Sequence, residues 1–283
     1  MDLPASKNET MKRASKMPEL LPAIFFGHGN PMNAVQNNQY TEGWRHIGRK
    51  IRKPKAILSI SAHWFVPGVG VTISTAPRTI HDFGGFPREL YQVQYPAPGD
   101  PDLARRVQQL LSPTPVQMDN SWGLDHGTWS VLRHVFPDAD VPVVQLSIDE
   151  TQPAIFHFEI GRRLAPLRAE NILIVGSGNL VHNLHTYAWG RHMPTPYDWA
   201  SRFEEEAKEI MLAGESKALI EYERLGQDAM LSVPTPDHYL PLLYVLATRQ
   251  RGDLVTFPIE GIDGGSISML TVRIDPLDAG SVE

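Results

Sequence analysis

Histidine is the residue type in this chain whose number and placement point to chemistry. The sequence has eleven histidines and no cysteine in 283 residues. Without cysteine there is no thiolate nucleophile, no disulfide and no thiolate-bound metal. A transition metal would therefore be held by imidazole nitrogens and carboxylate oxygens, and imidazole also suits proton transfer because its unperturbed pKa is about 6.5.

Three histidines each follow an apolar run that predicts a buried strand. His28 lies in GHGNPM after AIFFG, His63 lies in SAHW after AILSIS, and His182 lies in GSGNLVHNL after ILIVGS. Ligands of open α/β sheets bind beyond the carboxyl ends of the strands, so we expect these side chains to meet there and bind a metal. The alternative is that each is a hydrogen-bonded polar residue of the core or of a loop.

Two further histidines are placed beside predicted helices. His126, in GLDHGTW, occupies a turn just ahead of a helix, and His238, in TPDHYLPLLYVL, is predicted in the first turn of a strongly apolar helix. A helix start beside a metal is a rigid platform for a ligand. The alternatives are that His126 caps its own turn and that His238 is a partly exposed first-turn residue.

The remaining histidines are assigned less chemistry. His81, in the Pro/Gly-rich stretch 75–99, is a candidate substrate contact because loops of that length usually serve binding. His185 could share a helical face with His182, but a supporting or surface role is favoured. Structural roles are expected for the other four, which are His46, His134, His157 and His192.

The elements that must position these residues alternate along the chain. Strands are predicted at residues 23–27, 56–61, 69–73, 141–147, 171–176, 254–258 and 266–274. Helices are predicted at residues 40–51, 101–111, 128–136, 153–167, 198–213, 215–226 and 237–249. Asp100 before Pro101 is a typical helix start, and Pro236–Asp237 is expected to open the last helix in a similar way. The alternation favours a single α/β domain with a central mixed, mostly parallel sheet flanked by helices, with the metal site at the strand C-terminal ends.

Composition narrows the class of protein. Residues 1–19 are polar and predicted to be a flexible tail, which leaves residues 20–283 as one domain. The apolar run 20–26 is too short for a signal peptide, and no window approaches the roughly 18 apolar residues of a membrane span. A net charge of −6 argues against nucleic-acid binding. A cytoplasmic protein that binds neither membrane nor nucleic acid is therefore expected. No His-Glu-x-x-His or Gly-x-Ser-x-Gly motif occurs, and VGSGN fits neither a P-loop nor a dinucleotide fingerprint.

Eight sequence blocks, in order from about Pro22 to Arg273, resemble a known family. They are GHGNPM, SAHWF, TIHDFGGFP, YPAPG, LDHGTWSVL, VPVVQLSID, GSGNLVHNL and TPDHYLPLLYVL. These blocks resemble the 4,5-DOPA extradiol dioxygenase family, which is part of the class III (LigB-like) extradiol ring-cleavage enzymes, and the bacterial members most of all. The resemblance implies a single α/β domain that holds one divalent metal per chain.

The resemblance also implies roles for individual residues. The family's metal histidines fall on His28, His63 and His238, with His182 as a further ligand, and the wider class places its acid and base on His126 and His182. His182 thus has two expected roles. The wider class uses two histidines and one carboxylate as ligands. This chain departs from that pattern if His238 replaces the carboxylate, and Glu260, in PIEG, is the alternative third ligand, ranked below His238.

The activity implied by the resemblance is extradiol cleavage of a catechol. A catechol such as L-DOPA would be cleaved at the 4,5-bond to 4,5-seco-DOPA, with both atoms of O2 incorporated. Fe(II) is expected for turnover and zinc in the purified protein, because the general affinity order favours zinc and zinc cannot change oxidation state. A zinc-dependent hydrolase and a non-catalytic metal-binding protein are the alternatives on the same scaffold. The oligomeric state is left open.

Overall fold

One large mixed sheet runs through the part of the chain that the structure, a computed structural model, describes, which is residues 20–190 and 195–277. The predicted tail, His192 and the last six residues lie outside that part. The strands are β1 Ala23–Gly27, β2 Ala56–Val66, β3 Val69–Thr72, β4 Val116–Asp119, β5 Val143–Asp149, β6 Ile172–Gly178, β7 Leu254–Ile259, β8 Ile262–Asp263, β9 Ile267–Ser268 and β10 Thr271–Asp275. Eight of them form a sheet in the order β4-β3-β5-β2-β6-β1-β10-β7, and β8 and β9 form a separate two-stranded sheet.

The centre of the large sheet is parallel. Strands β5, β2, β6 and β1 pair in parallel, whereas β10 pairs antiparallel with both β1 and β7. The carboxyl ends of the four parallel strands therefore meet at one edge, where a ligand is expected in such sheets.

Helices cover both faces of the sheet. They are α1 Gln39–Lys50, α2 Arg88–Tyr91, α3 Pro101–Leu111, α4 His126–Val135, α5 Ala154–Leu164, α6 Asp198–Ala213, α7 Ser216–Ile220, α8 Gln227–Ser232 and α9 Leu240–Leu246. Short 3-10 helices span Pro31–Ala34, Ala165–Glu170 and Tyr222–Leu225. Phe25 packs in the core beneath α3, α5 and α9, while its neighbours Ile24 and Phe26 pack in the core beneath α1 and α4. The alternation along β1 shows a strand buried on both faces, and the predicted α/β fold class is confirmed.

Several predicted bounds agree with the structure. Strand 23–27 and helices 101–111 and 198–213 have the predicted limits. Asp100 caps α3, because its side chain accepts hydrogen bonds of 3.0 Å from the backbone N–H groups of Asp102 and Leu103. Among the described residues, no helix combines the length and the apolar character needed to cross a bilayer.

Other predicted bounds are wrong. The last helix begins at Leu240 and not at residue 237, because Asp237 binds the ring of His238 and does not cap the helix. The single strand predicted at 266–274 is two strands, β9 and β10, and residues 215–226 form α7 and a 3-10 helix. Strands β4 and β8 and helices α2 and α8 were not predicted from the sequence, and β2 extends five residues beyond its predicted end.

Candidate metal centre

Three histidines from separate segments converge at the carboxyl edge of the sheet. His28 follows β1, His63 lies within the last third of β2, and His238 lies in the turn before α9. The Nε2 atoms of His28 and His63 are 3.2 Å apart, and the potential ligand atoms of all three lie within 4.8 Å of one another. The structure thus brings together three of the four histidines predicted as metal ligands.

The end of β6 fixes two of these residues through the backbone. The Gly178 carbonyl accepts the His28 N–H at 3.0 Å, and the His238 carbonyl accepts the Asn179 N–H at 2.9 Å. A Cβ atom on Gly178 would lie 2.1 Å from the His238 carbonyl oxygen, so only glycine permits this approach.

A shift in strand pairing positions the third histidine, His63. The pairing of β2 with β5 changes register between Ile60 and Phe65, and His63 lies in that interval. Such irregularities often lie beside functional sites, where they change the direction of a side chain. Gly127 packs against the ring, because a Cβ atom there would lie 2.9 Å from the His63 Cδ2.

The groups that face Nδ1 determine which nitrogen of each ring is free. Ser177 donates to the Gly127 carbonyl at 2.5 Å, so its oxygen accepts from the His28 Nδ1 at 3.0 Å. Carboxylate oxygens lie 2.5 Å from the His238 Nδ1 (Asp237) and 3.3 Å from the His63 Nδ1 (Asp82). Ionised carboxylates accept and cannot donate, so the proton sits on Nδ1 in these rings and the Nε2 lone pair is available to a metal.

Burial keeps the imidazoles of His28 and His63 neutral. Burial lowers the pKa of both His28 and His63 well below the ordinary value, and the other histidines of the cluster lower it further. Neutral imidazole is the form that binds a metal. Three imidazole nitrogen donors fit a divalent ion such as zinc or Fe(II) and leave coordination positions for other groups.

The ring of His182 lies against that of His238, but His182 is not part of the group formed by His28, His63 and His238. The two rings stack in parallel with centroids 3.5 Å apart and an interplanar angle of 4°. The His182 backbone N–H donates to the Ser232 carbonyl at 2.8 Å, which fixes the loop after β6. Burial, with a smaller effect of the His238 charge, lowers the pKa of His182 to about 2. Its potential ligand atom lies within 4.8 Å of those of Asp237 and His238. Both expected roles of His182 remain predictions.

His126 adjoins the cluster from α4. It is the first residue of that helix, and its ring centroid is 3.8 Å from that of His63. Asp82 accepts both the His126 backbone N–H at 2.8 Å and its Nδ1 at 2.9 Å. Burial raises the pKa of Asp82, but hydrogen bonds and charge from His126 outweigh burial and hold the pKa below the usual value. The role of His126 in proton transfer stays a prediction.

The residue before His126 is also buried. Asp125 caps α4 by accepting the Thr128 backbone N–H at 3.1 Å, and it pairs with the Gln145 side chain. Burial and the neighbouring Asp82 charge raise its pKa to about 6.

A cavity of about 170 Å³ opens over the cluster. Five histidines line it, namely His28, His63, His126, His182 and His238. The other lining residues are mainly apolar or aromatic, among them Pro31, Phe86, Leu184, Tyr187, Trp189 and Ile267. A larger cavity of about 840 Å³ lies beside α5 and α7, and none of its described lining residues is a histidine. The smaller cavity is therefore the one that joins the candidate metal ligands to a binding space.

Comparison with known families agrees with this site. Residues 22–254 match the family described as the catalytic LigB subunit of aromatic ring-opening dioxygenase. The chain belongs to the LigB family of aromatic ring-opening dioxygenases. LigB dioxygenases are metal-dependent, so the predicted ring-cleaving activity and the need for a metal are confirmed at the level of the family.

Individual relatives of this LigB enzyme cover most of its length. The 4,5-DOPA dioxygenase extradiol of Escherichia coli (strain K12) is 51% identical over 90% of this chain and 94% of its own. The Beta vulgaris protein of the same name is 36% identical over 87% of this chain and 93% of its own. A crystal structure of an uncharacterised Escherichia coli K12 protein, 46% identical, superposes with a TM-score of 0.79 over 90% of this chain and 99% of that one.

The remaining predicted residues lie away from the ligand group of the LigB site. Glu260, the alternative third ligand, belongs to none of the groups of described residues that could hold a metal, and its half-exposed carboxylate pairs with the Lys208 amine at 2.6 Å. His81 contacts the Val93 carbonyl at 2.9 Å and is not among the described residues of the cavity wall. His185 is exposed, and no helix joins it to His182. Neither Asp82 nor Asp237 was predicted as a residue of the site, although each directly adjoins a histidine, in IHDF and PDHY.

Proposed function

We propose that this LigB-family enzyme cleaves the ring of catechols such as L-DOPA beside the diol, with O2 as the second substrate. The observation that supports this most strongly is the convergence of ring nitrogens of three histidines under a cavity that His126 and His182 also line. The names of the relatives from Escherichia coli and Beta vulgaris support L-DOPA as the catechol.

His28, His63 and His238 would hold the metal, with His182 as a further ligand or as a proton carrier. Fe(II) is the metal we propose for turnover, and zinc for the purified protein. When bound, the metal would make the diol hydroxyls easier to deprotonate and supply redox chemistry toward dioxygen.

The two flanking histidines would handle the protons. His126 holds its Nδ1 proton against Asp82, which leaves Nε2 as an acceptor for a diol proton. His182, on the other side of the cluster, would return a proton to the product or share in removing one. Overall, the carbon–carbon bond beside the diol breaks and both oxygen atoms enter the product, so no outside reductant is needed. For L-DOPA cleaved at the 4,5-bond, the product is 4,5-seco-DOPA.

The outer wall of the cavity suits a flat ring. Tyr187 and Trp189 pack edge to face with centroids 4.7 Å apart. Tyr187 donates to the Asp263 carboxylate at 2.9 Å, and the Ala188 N–H donates to the Gly264 carbonyl at 3.0 Å. The β8–β9 hairpin thus holds the aromatic wall in place, and we propose that the catechol ring lies against it.

The cytoplasmic location stays a prediction.

Oxygen uptake by the metal-loaded enzyme tests the function. The protein is loaded with Fe(II) without air and then given L-DOPA and air. We expect one O2 consumed for each ring opened, with a yellow product. The zinc-loaded form should bind L-DOPA without oxygen uptake, since zinc cannot change oxidation state. His63→Ala should lose uptake, whereas His46→Ala, on the exposed side of α1, should retain it.

A lack of uptake with L-DOPA and with simple catechols would overturn the proposal. Hydrolysis of amides or esters by the zinc form would then favour the hydrolase. Metal binding with neither activity would favour the non-catalytic protein.

A further inference from the structure

One carboxylate contacts both a proposed metal ligand and the proposed base. The Oδ2 atom of Asp82 lies 3.3 Å from the His63 Nδ1 and 2.9 Å from the His126 Nδ1, while Oδ1 accepts the His126 backbone N–H at 2.8 Å. We infer that Asp82 is a positioning residue that sets the tautomer of both rings at once. The inference rests on the proposed function for the roles of the two rings.

The backbone contact fixes the direction of the Asp82 side chain. Because Oδ1 is bound to the His126 N–H, the second oxygen must face both rings. Asp82 is an exposed residue, but its side chain and that of His63 are each only 19% exposed, and that of His126 is 5% exposed. The rings therefore shield the carboxylate oxygens from much of the solvent.

This arrangement differs from the support of the other ligands. Ser177 holds the ring of His28 alone, and Asp237 hydrogen-bonds to the ring of His238 alone. Asp82 gives His63 the tautomer that ligates through Nε2, and it gives His126 the tautomer that accepts a proton at Nε2. A single group thus couples metal binding to proton transfer.

Asp82 is not needed to hold its own loop in place. The neighbouring Ile80 exchanges backbone contacts with the segment before α4, since its N–H donates to the Leu124 carbonyl at 2.7 Å. The Ile80 carbonyl also accepts the Trp129 indole N–H at 2.7 Å. Variants at Asp82 should therefore fold with the loop in position.

Two substitutions separate tautomer control from simple packing. In Asp82→Asn, the oxygen stays on the His126 backbone N–H and the new NH2 group faces both Nδ1 atoms. A donor at that position favours the tautomer with the proton on Nε2, which cannot ligate a metal through Nε2. Asp82→Ala removes the acceptor without adding a donor. Zinc affinity should therefore fall by about 10–100-fold in the Asn variant and less in the Ala variant.

Nitrogen-15 NMR of histidine-labelled, metal-free enzyme measures the tautomers directly. We expect His63 and His126 to carry the proton on Nδ1 in the wild type and on Nε2 in Asp82→Asn. Chelator competition gives the zinc affinity of the same samples. Asp237→Asn is the matched control, because it should change the tautomer of His238 and leave those of His63 and His126 unchanged.

Unchanged tautomers in Asp82→Asn would overturn the inference. So would a higher zinc affinity in the Asn variant than in the Ala variant, which is the result expected of a residue that only fills space. Neither readout involves a catechol. If the tautomers and affinities change as expected but the Fe(II) enzyme consumes no oxygen, the proposed function fails and the control of both rings by Asp82 stands.

Discussion

The role of each histidine in this chain depends on the group that its ring nitrogens contact. At His28, His63 and His238, a hydroxyl or carboxylate lies at Nδ1 and Nε2 points into the cluster. At His134, by contrast, Nε2 lies 2.9 Å from the Asn33 carbonyl, so the ring serves the core. Exposed imidazoles such as His185 lack this fixed direction. Position and partner therefore separate the histidines where their number alone does not.

Removing the proposed acid–base histidines should slow turnover without unfolding the protein. His126→Ala and His182→Ala should each lower the kcat for L-DOPA by about 10²–10⁴-fold, because each loses a positioned proton carrier. The measurement is steady-state oxygen uptake by the Fe(II) enzyme, with the exposed His185→Ala as the control. Wild-type kcat in either variant would remove that residue from the mechanism.

Zinc affinity of the same variants separates the two roles of His182. A ligand that is lost weakens zinc binding, whereas a proton carrier that is lost leaves zinc binding near the wild-type value. His126→Ala should bind zinc within a few-fold of the wild type. If His182→Ala also binds zinc within a few-fold of the wild type, His182 is assigned to proton transfer.

The sequence could predict the ligating side chains of this site but not the groups that orient them. His28 and His63 follow apolar runs, so strand geometry alone brings them to one edge. Asp82 lies in the long segment 75–99, whose path depends on contacts with Leu124 and Trp129 and not on a local pattern. Glu260 was plausible by residue type, and its pairing with Lys208 across the surface has no local signal.

At the scale of elements, strong local signals gave correct bounds. Helix α3 has a capping Asp100 and an apolar stripe, and β1 is buried on both faces, so their patterns are unambiguous. The missed strand β4 has four residues at a sheet edge, and α8 has six, too few for a periodic pattern. Strand β2 continues past its apolar run because β5 pairs with Phe65 and Val66, which is a tertiary effect.

The packing of α5 against α9 contains a buried histidine that should make stability depend on pH. His157 lies 2.9 Å from the Tyr244 hydroxyl through Nδ1 and 3.3 Å from the Gln152 carbonyl through Nε2. Since a carbonyl only accepts, the proton sits on Nε2 and the hydroxyl donates to Nδ1. Burial lowers the pKa of His157 to about 4, and the Gln152 carbonyl opposes this weakly.

A pKa that is lower in the folded state than in the unfolded state weakens the fold in acid. The contribution of His157 is fully present above the unfolded pKa of about 6.5, is lost as the pH falls toward 4, and changes little below that. Between pH 7 and pH 4.5, the loss should be about 2 kcal/mol in the free energy of unfolding. Urea unfolding of the wild type and His157→Gln at both pH values measures it. The variant should show the smaller loss, and equal losses would contradict the assignment to His157.

At the scale of the whole molecule, a buried arginine joins segments that are distant in sequence. Arg168 is fully buried in the 3-10 helix before β6, and its guanidinium pairs with the Asp253 carboxylate at 2.5 Å. It also donates to the Leu21 carbonyl at 2.8 Å and to the Thr248 carbonyl at 2.9 Å. These contacts tie the entry to β1, the end of α9 and the entry to β7. They lie at the opposite end of β1 from His28, so stability can be changed here without touching the site.

Arg168→Ala should therefore destabilise the fold and leave metal affinity unchanged. The substitution leaves a buried carboxylate and several carbonyls without their hydrogen-bond donor. Breaking a buried ion pair in this way lowers the free energy of unfolding by about 3–5 kcal/mol. Urea unfolding measures the loss, and Arg162→Ala is the control, because its pair with Glu159 is exposed and should contribute little to stability. At temperatures where the variant is folded, its zinc affinity should match the wild type, since no contact of Arg168 reaches the histidine cluster within the described residues. A loss no larger than that of Arg162→Ala would show that Asp253 finds water or another partner, and a fall in zinc affinity would show that the two ends of β1 are coupled through the sheet.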